Sequence, residues 1–203
     1  MIKGKKEMKN LEKYQKNFKK RLYGLLGIFN YYRDEFNYSN DELKENVHNS
    51  DVKNPIGYTG IASDGIPSGF ISKGVVKLQR KYNCSINKLR KMKLITDDHL
   101  FGTTLIGRIV LEAFIDSGCN IDYMVNGWLP DHLYLWSRAI ITREEHKADN
   151  LGRNTHSYED KLCMIHYLEA NIVLTGTPNV NFPDSIMQYI YSPYKANTGK
   201  FFE

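Results

Sequence analysis

The chain has 203 residues, 41% of them hydrophobic and 25% charged, with a formal net charge of +5. That length fits one domain, or one domain with an attached arm, and the apolar content excludes a globally disordered chain. No run approaches the ~20 continuous apolar residues of a membrane span. No short apolar run with a small-residue cleavage site follows the Lys-rich start, so neither a membrane nor a secretory signal is expected.

Residues 1–36 read as one long helix. Leu11, Tyr14, Phe18, Leu22, Leu25 and Phe29 recur at steps of three and four and form one apolar stripe. Lysines fill the opposite face of its first half, and residues 1–22 carry a net charge of +7. Such a helix is expected to act as a basic arm, to dock its stripe on the body, or to use it for homo-oligomerisation. Residues 37–55 are polar, end in Pro55, and read as a linker around a short helix at 41–47.

From 56 onward a single α+β domain is expected, reaching to residue 203. Ile56–Ala62 and Gly69–Ser72 are strand-like runs around the turn formers 63–68, which predicts a β-hairpin. The next block is helical in pattern and free of acids. Lys73, Lys77, Arg80, Lys81, Lys88, Arg90, Lys91 and Lys93 give it a charge of +8. The rest of the chain, outside the two basic blocks, is therefore acidic at −10. Two segregated basic blocks favour a polyanionic partner, DNA or RNA.

A helix is predicted over 104–117, with Gly118 as its stop, followed by an irregular connector at 119–131. Leu133–Trp136 and Ala139–Thr142 read as two short strands broken at Ser137-Arg138. Thr142-Arg143-Glu144-Glu145 is a capping-box pattern that starts a helix running to about Gly152. Another helix is expected over 158–172, and one more over Asp184–Tyr191. The fold class is therefore α+β: a small antiparallel component from 56–72 and 132–142, packed by helices.

Five of the six histidines lie between residues 99 and 166, several beside acids or amides: Asp97-Asp98-His99, Asp131-His132, and Glu144-Glu145-His146 with Asn150 one turn beyond. Imidazole accepts protons or binds metal near neutral pH, and carboxylates bind hard cations. These are the groups needed to hydrolyse a phosphodiester with a divalent metal.

The run Asp131-His132-Leu133, Ser137-Arg138, Thr142-Arg143-Glu144-Glu145-His146-Lys147 resembles the ββα-metal core of HNH endonucleases over about residues 131–154. The resemblance implies an acid–His pair on the first strand of a hairpin and a helix that returns a His or Asn to the same metal. It makes His132 the general base and Asp131 a ligand of Mg²⁺ or Mn²⁺, with His146 or Asn150 as the helix-borne ligand. Asp98-His99 matches the acid–His pair equally well, with Asp98 as ligand and His99 as base. The zinc-knuckle cysteines of many members are absent, and the gap between the two strands is shorter than usual.

A second pattern, Pro130-Asp131 with Glu145-His146-Lys147, matches the PD-(D/E)-x-K string of many restriction enzymes. It requires Glu145 and Lys147 on a strand, whereas the capping box predicts a helix there. The three cysteines, Cys84, Cys119 and Cys163, form neither a disulfide framework nor a zinc motif, so a reducing cytoplasm is expected. The Lys-, Asn-, Ile- and Tyr-rich composition suits AT-rich coding DNA such as that of many phages. No Walker A loop, dinucleotide-binding glycine motif, H-E-x-x-H or G-x-S-x-G occurs. Two functions are therefore expected of this chain: a metal-dependent endonuclease of HNH-like type, or a non-enzymatic nucleic-acid-binding or phage accessory protein that works through residues 1–22 and 73–93.

Overall fold

A computed structural model describes residues 2–47, 65–153 and 165–191. Two helices open the chain, α1 (Ile2–Phe36) and α2 (Asn40–Asn46). Strand β1 (Ile66–Ser72) leads into α3 (Lys73–Tyr82), α4 (Ile86–Lys91) and β2 (Ile95–His99). Helix α5 (Thr103–Asp116) follows, then a helical run of α6 (Ile121–Tyr123), a π-turn (Met124–Trp128), α7 (Leu129–His132) and a 3-10 turn (Leu133–Trp136). The remaining described elements are β3 (Ser137–Thr142), α8 (Arg143–Arg153), α9 (Ile165–Glu169), β4 (Leu174–Gly176) and α10 (Asp184–Tyr191). This is an α+β protein, as the sequence leads one to expect. Among the described residues no helix is long and apolar enough to cross a membrane.

Two compact units interleave along the chain: residues 1–65 with 102–136, and residues 66–101 with 137–203.

The first unit is helical. The stripe of α1 is consumed within it, since Phe18, Leu22, Leu25 and Phe29 are all buried. Phe18 stacks near Trp128 at 6.2 Å and meets Trp136 edge-on at 5.7 Å, while Phe29 packs on Phe114 at 5.8 Å. The part of the stripe expected to serve homo-oligomerisation is therefore core. Ser39 caps α2 through a reciprocal box with Glu42, whose carboxyl those hydrogen bonds hold below the usual range. Arg108 closes the other end of α2 by donating to the carbonyls of Lys44 and Val47 at 2.9 and 2.8 Å. The connector expected at 119–131 is helical instead, with Asn120 as its cap and Pro130 at the start of α7, where a missing N–H costs nothing.

The second unit is built on a four-stranded sheet of order β2-β3-β1-β4. β1 runs parallel to β3, and β2–β3 and β1–β4 are antiparallel. The expected strand at 133–136 is corrected to a 3-10 turn, so β3 is one uninterrupted strand and no 133–142 hairpin forms. Its antiparallel partner is β2, which pairs from Ile95↔Thr142 to His99↔Arg138, and Leu100 continues by donating to the Ser137 carbonyl at 3.1 Å. The first strand of the hairpin expected over 56–72 lies outside the described residues; its second forms β1. Pro67 fits inside β1 because the register shifts between Pro67 and Ile71, around Gly69 at φ +89°. A Cβ on Gly69 would lie 2.0 Å from the Thr177 carbonyl, so only glycine lets β1 and the chain after β4 approach so closely.

Candidate nucleic-acid interface and Asp–His cluster

The basic block folds as two helices separated by a left-handed Asn83 (φ 44°) rather than as one. Ser72 and Ser85 cap α3 and α4 by accepting from Val75 and Lys88 N–H groups. Val75, Leu89 and Ile95 form the buried seam that holds the pair on the sheet. This burial turns every cation outward: Lys73, Lys77, Arg80, Lys81, Lys88, Arg90, Lys91 and Lys93 are all exposed. Among the described residues only Arg90 is paired with an acid, Asp97 at 2.7 Å. Tyr82 and Met92 are also exposed on this surface.

The capping box forms as expected: the Glu145 N–H donates to Thr142 Oγ1 at 3.1 Å, and the Thr142 N–H donates to Glu145 Oε2 at 2.7 Å. The same carboxylate accepts from the Ser72 hydroxyl at 2.6 Å, and that hydroxyl is the cap of α3. One acid thus serves the N-termini of two helices, where its charge complements both dipoles. Gly74 makes room for it, since a Cβ there would lie 2.4 Å from Glu145 Oε1. Glu145 and Lys147 lie on a helix, and Glu145 is absorbed by caps, which removes the PD-(D/E)-x-K arrangement.

Asp131 is exposed on α7 in the first unit. His132 donates from Nδ1 to the Trp128 carbonyl at 2.7 Å, and its ring stacks on Trp128 at 4.0 Å. The pair lies on a helix, so the assignment of Asp131 and His132 to a hairpin strand is corrected.

A strand–strand–helix arrangement does form around Asp98. β2 carries Asp98, β3 pairs with it, and α8 follows at once with His146, residues 102–136 being inserted between the strands. Asp98 is 3% exposed; its Oδ1 lies 3.2 Å from His146 Nδ1, and its Oδ2 accepts from the Tyr167 hydroxyl at 2.5 Å. Asp149 of α8 and His166 of α9 are fully buried, with Oδ1 and Nε2 3.7 Å apart. Asn150 lies one turn beyond His146 in α8.

His99 does not join Asp98. Successive residues of a strand face opposite sides, and His99 is paired across the sheet with Arg138, whose guanidinium donates to His99 Nε2 at 2.9 Å. Tyr167 and the Asp149–His166 pair were not foreseen, because nothing local in their segments marks them as partners of Asp98 or α8.

Among the described residues, no three His, Cys, Asp or Glu side chains gather into a metal-holding set. Comparison with protein-family models, with curated proteins and with solved structures finds no match.

Proposed function

We propose that this protein binds nucleic acid, DNA or RNA, through the basic surface of α3 and α4. The observation that carries the reading is the outward display of eight cations, of which only Arg90 meets a carboxylate among the described residues. Cations held so close together repel one another unless phosphates neutralise them, and each phosphate contact releases counterions from the polynucleotide. Exposed Lys13, Lys16, Lys19 and Lys20 on α1 supply a second basic segment. The test is fluorescence anisotropy of labelled duplex and single-stranded oligonucleotides across a salt series. Binding should weaken linearly in log–log form, and joint charge reversal at Arg80, Lys81 and Lys91 should flatten the slope by about one unit per lost phosphate contact. Salt-independent retention, or no retention at low salt, overturns the reading. A cytoplasmic setting fits this function, since Cys84 and Cys119 are free thiols.

A second reading, a divalent-metal-dependent endonuclease of HNH-like type, is favoured by one observation, the Asp98–His146 pair on the strand–strand–helix arrangement. Asp98 Oδ1 and His146 Nδ1 lie 3.2 Å apart, and Mg²⁺ usually takes few protein ligands beside water and phosphate. Asp98 and His146 would hold the ion, with Asn150 as the next donor along α8, and the ion would supply Lewis-acid polarisation of a phosphodiester. Tyr167 orients the carboxylate of Asp98 by its hydrogen bond. Mg²⁺- or Mn²⁺-dependent nicking of plasmid, lost in Asp98→Asn and in His146→Ala but kept in His132→Ala, supports this reading; nicking that survives Asp98→Asn and His146→Ala rejects it.

A further inference from the structure

We infer that Arg138 is a phosphate-binding subsite on the β2–β3 face opposite Asp98, with His99 as the residue that positions it. A guanidinium is a permanent cation with five donors and no acceptor. When such a group is withdrawn from water it is ordinarily matched by a carboxylate, because an uncompensated charge is costly to bury. Arg138 is half-buried on β3, and its Nε is buried with no hydrogen-bond partner. Among the described residues no acid lies within ion-pair distance of it. The partner it does have is a neutral acceptor: since Arg can only donate, the His99 Nε2 at 2.9 Å is an unprotonated nitrogen. That contact fixes the plane of the guanidinium while leaving its charge unspent.

The placement suits a ligand. His99 and Arg138 are directly paired across β2 and β3, and Arg138 is in register with Pro67 of β1 on its other side. Pro67 is exposed, so this row of three residues reaches solvent at one end of the sheet. A phosphate oxygen fits it best, because a planar fork of N–H donors matches two oxygens of a phosphate at once. The shared chemistry is a phosphate group, either free or in a polynucleotide backbone. The second source rests on the nucleic-acid reading proposed above, and it adds a contact outside the basic helix pair.

The test is a titration of the uniformly labelled full chain with inorganic phosphate, following the Arg138 Nε–H resonance by NMR, with chloride at matched ionic strength as the control. The resonance, identified by its loss in Arg138→Lys, should shift saturably with phosphate and stay unmoved by chloride. His99→Ala should weaken that response several-fold, while His99→Gln, which keeps a neutral acceptor, should retain most of it. A resonance that moves equally with both salts, or with neither, overturns the subsite even if oligonucleotides bind. In the oligonucleotide salt series, Arg138→Gln should lower the slope by about 0.9, one phosphate contact. A phosphate response with an unchanged slope upholds the subsite and assigns it to free phosphate. Loss of slope in the α3–α4 charge reversal tests the nucleic-acid reading separately, because phosphate binding at Arg138 does not depend on it.

Discussion

Glu145 shows how much one residue can carry. Its carboxylate accepts from the Thr142 backbone and the Ser72 hydroxyl, and the missing side chain of Gly74 gives it space. Glu145→Ala strands two donors and should cost about 1–3 kcal/mol in urea unfolding. Gly74→Ala should cost a similar amount by forcing the carboxylate aside. The double variant should cost little more than Glu145→Ala alone, because the clash disappears with the carboxylate. Strict additivity would show that Gly74 matters for another reason. A pH effect arises from Tyr134, whose phenol burial holds above its ordinary value near 10. The unfolded chain then loses this proton first, so the stabilisation is complete below about pH 10 and is lost as pH rises through the folded value. Tyr14 is raised for the same reason. Tyr134→Phe should therefore unfold less steeply between pH 10 and 12 than the wild type, measured by circular dichroism.

At the level of elements, α1 is the clearest case of structure written into spacing. Its stripe of Phe18, Leu22, Leu25 and Phe29 is the buried face, and Phe18 meets two tryptophans. Phe18→Ala should cost about 3–5 kcal/mol, seen as an earlier urea midpoint with tryptophan fluorescence as the probe. A loss below about 1 kcal/mol would mean that α1 is not anchored there. Local signals were equally legible at the capping box of α8 and at Asp184–Tyr191, because each depends on residues within one or two turns of one another. β2 was hidden for the opposite reason. Thr96-Asp97-Asp98-His99 lacks the apolar alternation of a strand, yet it forms one at the sheet edge, where Asp97 faces outward to Arg90. Leu133–Trp136 misled in the other direction, since its apolar run suits a strand but closes a helical unit. The meeting of Asp98 with His146 depends on β2 finding β3 across an insertion, and no local pattern encodes that pairing.

On the scale of the whole molecule, the chain leaves the second unit after Phe101 and re-enters it at Ser137, and Leu100 hydrogen-bonds the residue at which it returns. Joining Phe101 to Ser137 through Asn-Gly should therefore close β2 and β3 as an ordinary hairpin. Residues 65–101 and 137–203 so linked should show a cooperative thermal transition, with Asp98 and His146 still in contact by NMR. A chain without a cooperative transition would show that residues 102–136 do more than interrupt the strands. The strand order also has a consequence for the order of events as the chain is made. β1 and β2 are both synthesised early, yet they are not neighbours, because β3 lies between them, and β4, the other partner of β1, comes later still. When residue 136 has emerged, every segment of the first unit exists while the sheet of the second has no pair of adjacent strands. β3 is thus a keystone that arrives late: the helical unit is free to fold during synthesis, and the Asp98–His146 contact comes into being only in its wake.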